Sequence, residues 1–156
     1  MEMKRIVTDK IEPKEEEAIY QGLLAYNLAR LDDKNPKDLG IYYKDHEKIV
    51  AGLIGHTHGN WLIIKYLWVE EKLRGQHIGT ELLEQAEKIA KERGCRYCFL
   101  DTFSFQAPQF YKERGYKEAF TLEEYPISQK RYYLTKVLSN QNGAGERACL
   151  KSHGRV

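Results

Sequence analysis

Apolar residues recur along this chain with two different periods, and the points where the period changes mark its elements. Residues 3–9, MKRIVTD, alternate like a short strand. Over residues 14–31 the apolar positions Ala18, Ile19, Leu23, Leu24 and Leu28 follow helical spacing, and glutamates fill the first turn, where the helix dipole favours them. The polar run 32–38 breaks that pattern and predicts a loop. Then come the strand-like runs LGIYYKD, KIVAGLIGHTH and WLIIKYLWV, separated by residues 45–47 and by Gly59-Asn60, gaps short enough for hairpin turns and antiparallel pairing. Residues 62–69 are nearly all apolar, which predicts a central strand covered on both faces.

From Ile78 the pattern becomes helical again. Ile78, Leu82, Leu83, Ala86, Ile89 and Ala90 form one apolar stripe, the opposite side is charged, and Gly94 supplies the stop. RYCFLD reads as a further strand, APQFYKER as a short helix ended by Gly115, and YKEAFTLE and KRYYLTKVL as two closing strands around a turn near Pro126. Residues 139–156 lose all periodicity and read as a polar tail behind a single domain over residues 1–138. The expected class is α/β, more specifically α+β, with a mixed but mostly antiparallel sheet flanked by helices.

A chain of 156 residues that is 42% hydrophobic and 12% aromatic is sized for one core. Its net charge of +2 comes from interspersed signs, so neither a nucleic-acid footprint nor a polybasic membrane patch stands out. No apolar run approaches a membrane span of roughly 20 residues, and MEMKRIV lacks the features of a secretion signal. The expectation is a cytoplasmic protein with no nucleic-acid or membrane partner. Cys95 and Cys98 form a lone C-x-x-C inside an apolar segment and are read as structural thiols, while Cys149 lies in the tail. His56 and His58 lack a third ligand of obvious spacing, so no metal is expected.

One junction carries more chemistry than the rest. Between the central strand and the long helix stands Arg74-Gly75-Gln76-His77-Ile78-Gly79. A helix N-terminus presents unpaired N–H groups and a positive dipole end, glycines let backbone approach a ligand closely, and arginine adds a fork for phosphate oxygens. By itself the turn leaves open a tight β–α connection with a surface arginine. If it binds an anion, two cofactor classes compete. A dinucleotide site is suggested by Asp101, placed where a ribose-binding acid would lie, but the glycines are not spaced as G-x-G-x-x-G and the strands upstream read as hairpins.

The other class is coenzyme A. The turn resembles the Gln/Arg-x-x-Gly-x-Gly/Ala motif of the GNAT superfamily of acyl-CoA-dependent N-acyltransferases, and SFQAPQFYKERGY is similar to that family's second segment. The resemblance covers residues 3–138 in element order and implies about seven strands, with a splayed pair holding acetyl-CoA as co-substrate. It implies that the backbone of Leu67, Trp68 and Val69 pairs with the pantetheine arm, and that Arg74, Gly75, Gln76, His77, Ile78, Gly79 and Thr80 hold the pyrophosphate. Two departures stand out: His77 replaces a motif glycine, and Ser104 occupies a cofactor-contacting position usually held by asparagine.

The reaction implied is direct attack of a neutral amine on the thioester in a ternary complex, with Tyr111 as acid for the leaving thiolate and Glu70 as base, acting through a water. The acceptor, a small-molecule or peptide amine, is expected among Asp32, Asp33, Tyr42, Tyr43, Glu123, Glu124 and Tyr125, acidic and aromatic groups that suit a cation. The alternative is a non-catalytic regulatory module that binds acyl-CoA as a ligand. Members of the family often dimerise, and these residues neither favour nor exclude a homodimer.

Overall fold

The computed structural model describes residues 1–33 and 35–138. It divides into two compact units, Met1–Lys34 and the chain from Asn35 onward. The tail read over residues 139–156 lies outside the described residues.

In the first unit, helix α1 spans Pro13–Leu28, with proline at its first position and Glu15 and Glu16 in its first turn. It stops short of the residue 31 expected from the spacing. The amides of Arg30 and Leu31 both turn back to the carbonyl of Asn27, closing the helix in a tight turn, and Arg30 lies over the ring of Tyr26 at 3.6 Å.

Among the described residues the second unit is built on a sheet of six strands: β1 (Lys37–Asp45), β2 (Lys48–His58), β3 (Trp61–Val69), β4 (Tyr97–Phe103), β5 (Lys117–Leu122) and β6 (Arg131–Val137). The expected count of about seven is corrected to six, because residues 3–9 join no ladder. Alternation marks a segment as able to pair, but a strand exists only where another backbone receives its hydrogen bonds. The first three strands pair antiparallel in hairpins, as the short gaps predict, with His46 and Gly59 at positive φ in the turns. The order is β1-β2-β3-β4-β6-β5. Strand β6 therefore inserts between β4 and β5.

Helix α2 (Ile78–Glu92) and the short helix α3 (Pro108–Glu113) supply the remaining elements. Leu82, Leu83, Ala86 and Ala90 of α2 are buried in one core with Ala51, Leu53, Leu62, Leu100 and Leu134 of the sheet. Cys95 and Cys98 are buried within that core. Beside them the buried carboxylate of Glu87 accepts a 2.6 Å bond from Lys136, which offsets the cost of taking that charge out of water. Tyr116 donates its hydroxyl proton toward Cys98 Sγ at 3.2 Å.

One feature of the sheet positions the site. β3 and β4 are parallel, and they pair only where Trp61, Leu62 and Ile63 face Tyr97, Cys98 and Phe99. Beyond Ile63 they part. A bulge in the β2–β3 ladder falls at the same level, at Ile54/Gly55, and bulges re-aim the strand that carries them. Gly55 is required there, because a Cβ at that position would stand 2.3 Å from the carbonyl oxygen of Ile63.

Candidate active site

Where β3 leaves β4, the last residues of β3 lose a neighbour on one side. The chain then makes a 3-10 turn over Glu71–Leu73, extends at Arg74, and passes through the left-handed region at Gly75 (φ 82°) and again at His77 (φ 63°) before α2 begins. A glycine suits the first of these positions. The second is held by a histidine, one of the few side chains found there with some frequency. His77 is the N-cap of α2 but makes no side-chain capping bond, so the N–H groups of the first turn keep their full capacity for a ligand.

These elements enclose a cleft of about 640 Å³, in the range of small-molecule sites. Of the residues expected to bind cofactor, Leu67, Trp68, Val69, Arg74, Gly75, His77, Ile78, Gly79 and Thr80 border it. Gln76 and Ser104 do not. The Ser104 hydroxyl donates instead to Gln129 Oε1 at 2.7 Å and accepts from the Lys130 amide, which ties it to the turn between β5 and β6. Arg74 is anchored by its Nε, which donates to the carbonyl of Val69 at 3.2 Å. A Cβ on Gly79 would extend toward Phe110 and Val69, at 3.6 and 3.8 Å, so even a methyl group narrows the cleft floor.

Arg114 also borders the cleft. It lies over the Phe110 ring at 3.8 Å, donates through Nε and a terminal nitrogen to Thr80 Oγ1 at 3.1 and 2.7 Å, and donates to the Phe110 carbonyl at 2.8 Å. Its one recorded carboxylate neighbour, Glu113, is 3.9 Å away. Reasoning from sequence missed this residue. The signal was present, since Phe110 and Arg114 are four apart on a helix and therefore stack on one face. Two arginines and a helix N-terminus thus share a cleft whose wall includes no aspartate or glutamate. Such a concentration of positive potential is costly by itself and complementary to a polyanion.

Tyr111 also borders the cleft. Its ring is buried edge-on against Phe110 and Tyr116, and its hydroxyl makes no hydrogen bond among the described residues. Burial pushes its pKa up to about 12, and the nearby Cys98 and Asp101 add to the rise. The phenol is therefore protonated throughout the physiological range. Glu70, the other expected catalytic residue, follows the end of β3 without bordering the cleft. Lys48 Nζ donates to its Oε1 at 3.0 Å, Lys72 stands 3.8 Å from Oε2, and Oε2 is sequestered from solvent without a hydrogen bond among the described residues.

The acceptor segments expected from sequence are not all in one unit. Asp32 and Asp33 follow α1 in the first unit. Tyr42 and Tyr43 lie in β1, with the Tyr43 hydroxyl donating to Glu81 at 3.2 Å. Glu123, Glu124 and Tyr125 form the turn between β5 and β6. His56 and His58 lie along β2, opposite Ile63 and Trp61, and no group of three potential metal ligands occurs among the described residues. No helix among them is long and apolar enough to cross a membrane.

Comparison with known proteins identifies the family. The model of the acetyltransferase (GNAT) family matches residues 4–116. Acetyltransferase Atu2258 of Agrobacterium fabrum is 35% identical over 135 residues, covering 86% of this chain and 98% of that one. The blasticidin-S acetyltransferase of Streptomyces morookaense is 37% identical over 92 residues, 58% of this chain and 68% of its own. A crystal structure of an acetyltransferase from Agrobacterium tumefaciens superposes with a TM-score of 0.82 at 34% identity, covering 86% of this chain and 99% of that one. The chain belongs to the GNAT acetyltransferase family.

Proposed function

We propose that the protein transfers the acetyl group of acetyl-CoA to a primary amine of a small molecule, directly and within a ternary complex. The observation that carries this reading is the uncapped start of α2, faced by Arg74 and Arg114 in a cleft without an acidic wall. That donor set fits the diphosphate of coenzyme A: the unpaired main-chain N–H groups at the start of α2 would donate to it, and two guanidinium groups would offset its charge. The exposed edge of β3 beyond Ile63 can take the amides of the pantetheine arm as an added strand. A relative that bears blasticidin-S in its name supports a small-molecule acceptor.

Acetyl-CoA, when bound, supplies an activated thioester, and the new N–C bond forms as the C–S bond breaks. Glu70, through a water, receives the proton that the nitrogen gives up. Tyr111 serves the departing sulfur. With its pKa near 12, it cannot readily surrender its proton to a thiolate whose conjugate acid lies near about 8.5. It acts instead as a fixed hydrogen-bond donor, and the proton that completes the thiol comes from solvent. The test is calorimetric titration with acetyl-CoA, followed by detection of free thiol against a panel of amines. Binding accompanied by thiol release with at least one amine is expected; binding without release from any of them would sink the catalytic reading.

A further inference from the structure

The side of the sheet away from α2 carries an ion pair that the proposed chemistry does not yet use. Asp101 of β4 and Tyr133 of β6 are register partners, as are Phe103 and Arg131. Across that ladder Arg131 Nε donates to Asp101 Oδ2 at 2.8 Å, and a terminal nitrogen of Arg131 donates to the Tyr125 hydroxyl at 3.1 Å. Both charged side chains are half-buried, 28% exposed for Arg131 and 29% for Asp101. The two hydrogen bonds of Arg131, to Asp101 and to Tyr125, hold the pair in one orientation. Asp101 Oδ1, in contrast, accepts nothing among the described residues.

Three further observations give this pair a direction. Asp101 lies two residues past Phe99, the last residue of β4 that pairs with β3, and so stands at the mouth of the gap between those strands. It does not border the cofactor cleft, yet its charge is felt by Tyr111, which does. Around the guanidinium are the rings of Phe103, Tyr125 and Tyr133, at 5.3 to 5.8 Å. Phe120 stacks on Tyr133 at 4.3 Å and is itself 53% exposed.

From these positions we infer that Asp101 binds the acceptor amine, its Oδ1 taking an N–H of the incoming group while Arg131 and Tyr125 hold the carboxylate in place. Arg131 is a positioning residue. The aromatic cluster, with Phe120 as its exposed ring, assigns the rest of the acceptor to a class: an amine on a short tether from a flat aromatic or heteroaromatic body, which stacks on that ring as a flexible aliphatic amine does not. This inference rests on the transfer reaction proposed above.

The experiment compares wild type, Asp101→Asn and Arg131→Lys, with 2-phenylethylamine, n-butylamine and ethanolamine as acceptors and unfolding midpoints as a folding control. The wild type is expected to prefer 2-phenylethylamine in kcat/KM. Asp101→Asn is expected to lower kcat/KM for the amine by about 30-fold, as loss of a charge-assisted hydrogen bond does, with KM for acetyl-CoA unchanged. Arg131→Lys, which keeps the charge but loses the fork, should raise KM for the amine several-fold and leave acetyl-CoA binding alone. A folded Asp101→Asn enzyme with unaltered amine kinetics, or one whose acetyl-CoA affinity falls in step, overturns the assignment. Absence of an aromatic preference in an active wild type overturns the substrate class. A wild type that turns over none of these amines but acetylates others removes the inference and leaves the proposed function standing; no turnover with any amine removes both.

Discussion

The two sides of the gap between β3 and β4 are built differently. On the α2 side, the cleft is made largely of backbone: the start of a helix, the free edge of β3 and a turn with two left-handed residues, supplemented by Arg74 and Arg114. Its lining comes from two short stretches of chain, residues 67–80 and 105–114. On the other side, Asp101, Arg131 and Tyr125 come from two strands and a turn spread over 30 residues, and their side chains do the work. Under the proposed function, a constant ligand, the diphosphate arm, would be met largely by groups that every residue carries, and a variable ligand, the acceptor, by side chains that can change without disturbing the fold. Tyr111 stands between them, in contact with the cleft and within reach of the charge of Asp101.

That contrast can be broken at several points. The largest effect is expected from Tyr111→Phe, which removes the donor at the reacting sulfur and should lower kcat by about 100-fold, with calorimetric affinity for acetyl-CoA nearly unchanged. A parallel loss of cofactor affinity would make Tyr111 a wall of the cleft and nothing more. Next, Arg74→Met and Arg114→Met should each weaken acetyl-CoA binding by about 10-fold, and the weakened binding should respond less to salt. Neither should alter the relative rates with different amines. A change in acceptor preference in either variant would mean that the two sides are not separable.

A smaller effect is expected at the turn. Gly75 is at φ 82° with open space around its missing Cβ, so Gly75→Ala carries only backbone strain, about 1 kcal/mol. Binding of acetyl-CoA should fall a few-fold, and the melting temperature should drop slightly. The least specific effect lies beneath both regions. The thiol of Cys98 is pushed from 9.0 to about 12 by burial in the folded state. Above pH 9 the unfolded chain therefore binds fewer protons than the native one, and stability declines as pH rises from 9 toward 12, by up to about 1.4 kcal/mol per pH unit. Urea unfolding at pH 8, 9.5 and 10.5 should show this slope, and Cys98→Ala should flatten it. An equal slope in the variant would assign the alkaline loss to Tyr111 and Tyr116.

Much of the fold was legible because its determinants are local. Helix α2 announces itself by a single apolar stripe and ends before Gly94. The β1–β2 and β2–β3 hairpins follow from the short gaps between alternating runs. One end of the cleft was legible for the same reason, since five of the six residues from Arg74 to Gly79 line it. The structure differs from the reading at two places and, at a third, sets an expected site residue away from the cleft; at two of the three the determinant is distant. The run at residues 3–9 has the right alternation but no ladder, and α1 closes at Leu28 because two amides turn back to Asn27. Ser104 has the right place in the second motif, yet Gln129, 25 residues away, draws its hydroxyl to the β5–β6 turn.

Position along the chain was thus enough to define the helices, the hairpins and the turn that leads into α2, because period, capping and turn chemistry act over a few residues. It could not say that β6 enters the sheet between β4 and β5, and so could not bring Arg131 to Asp101. Nor could it say that β3 and β4 would part after three pairs. Those outcomes depend on which backbone is left to accept each hydrogen bond once the core has closed, and that is settled only when the whole sheet is assembled.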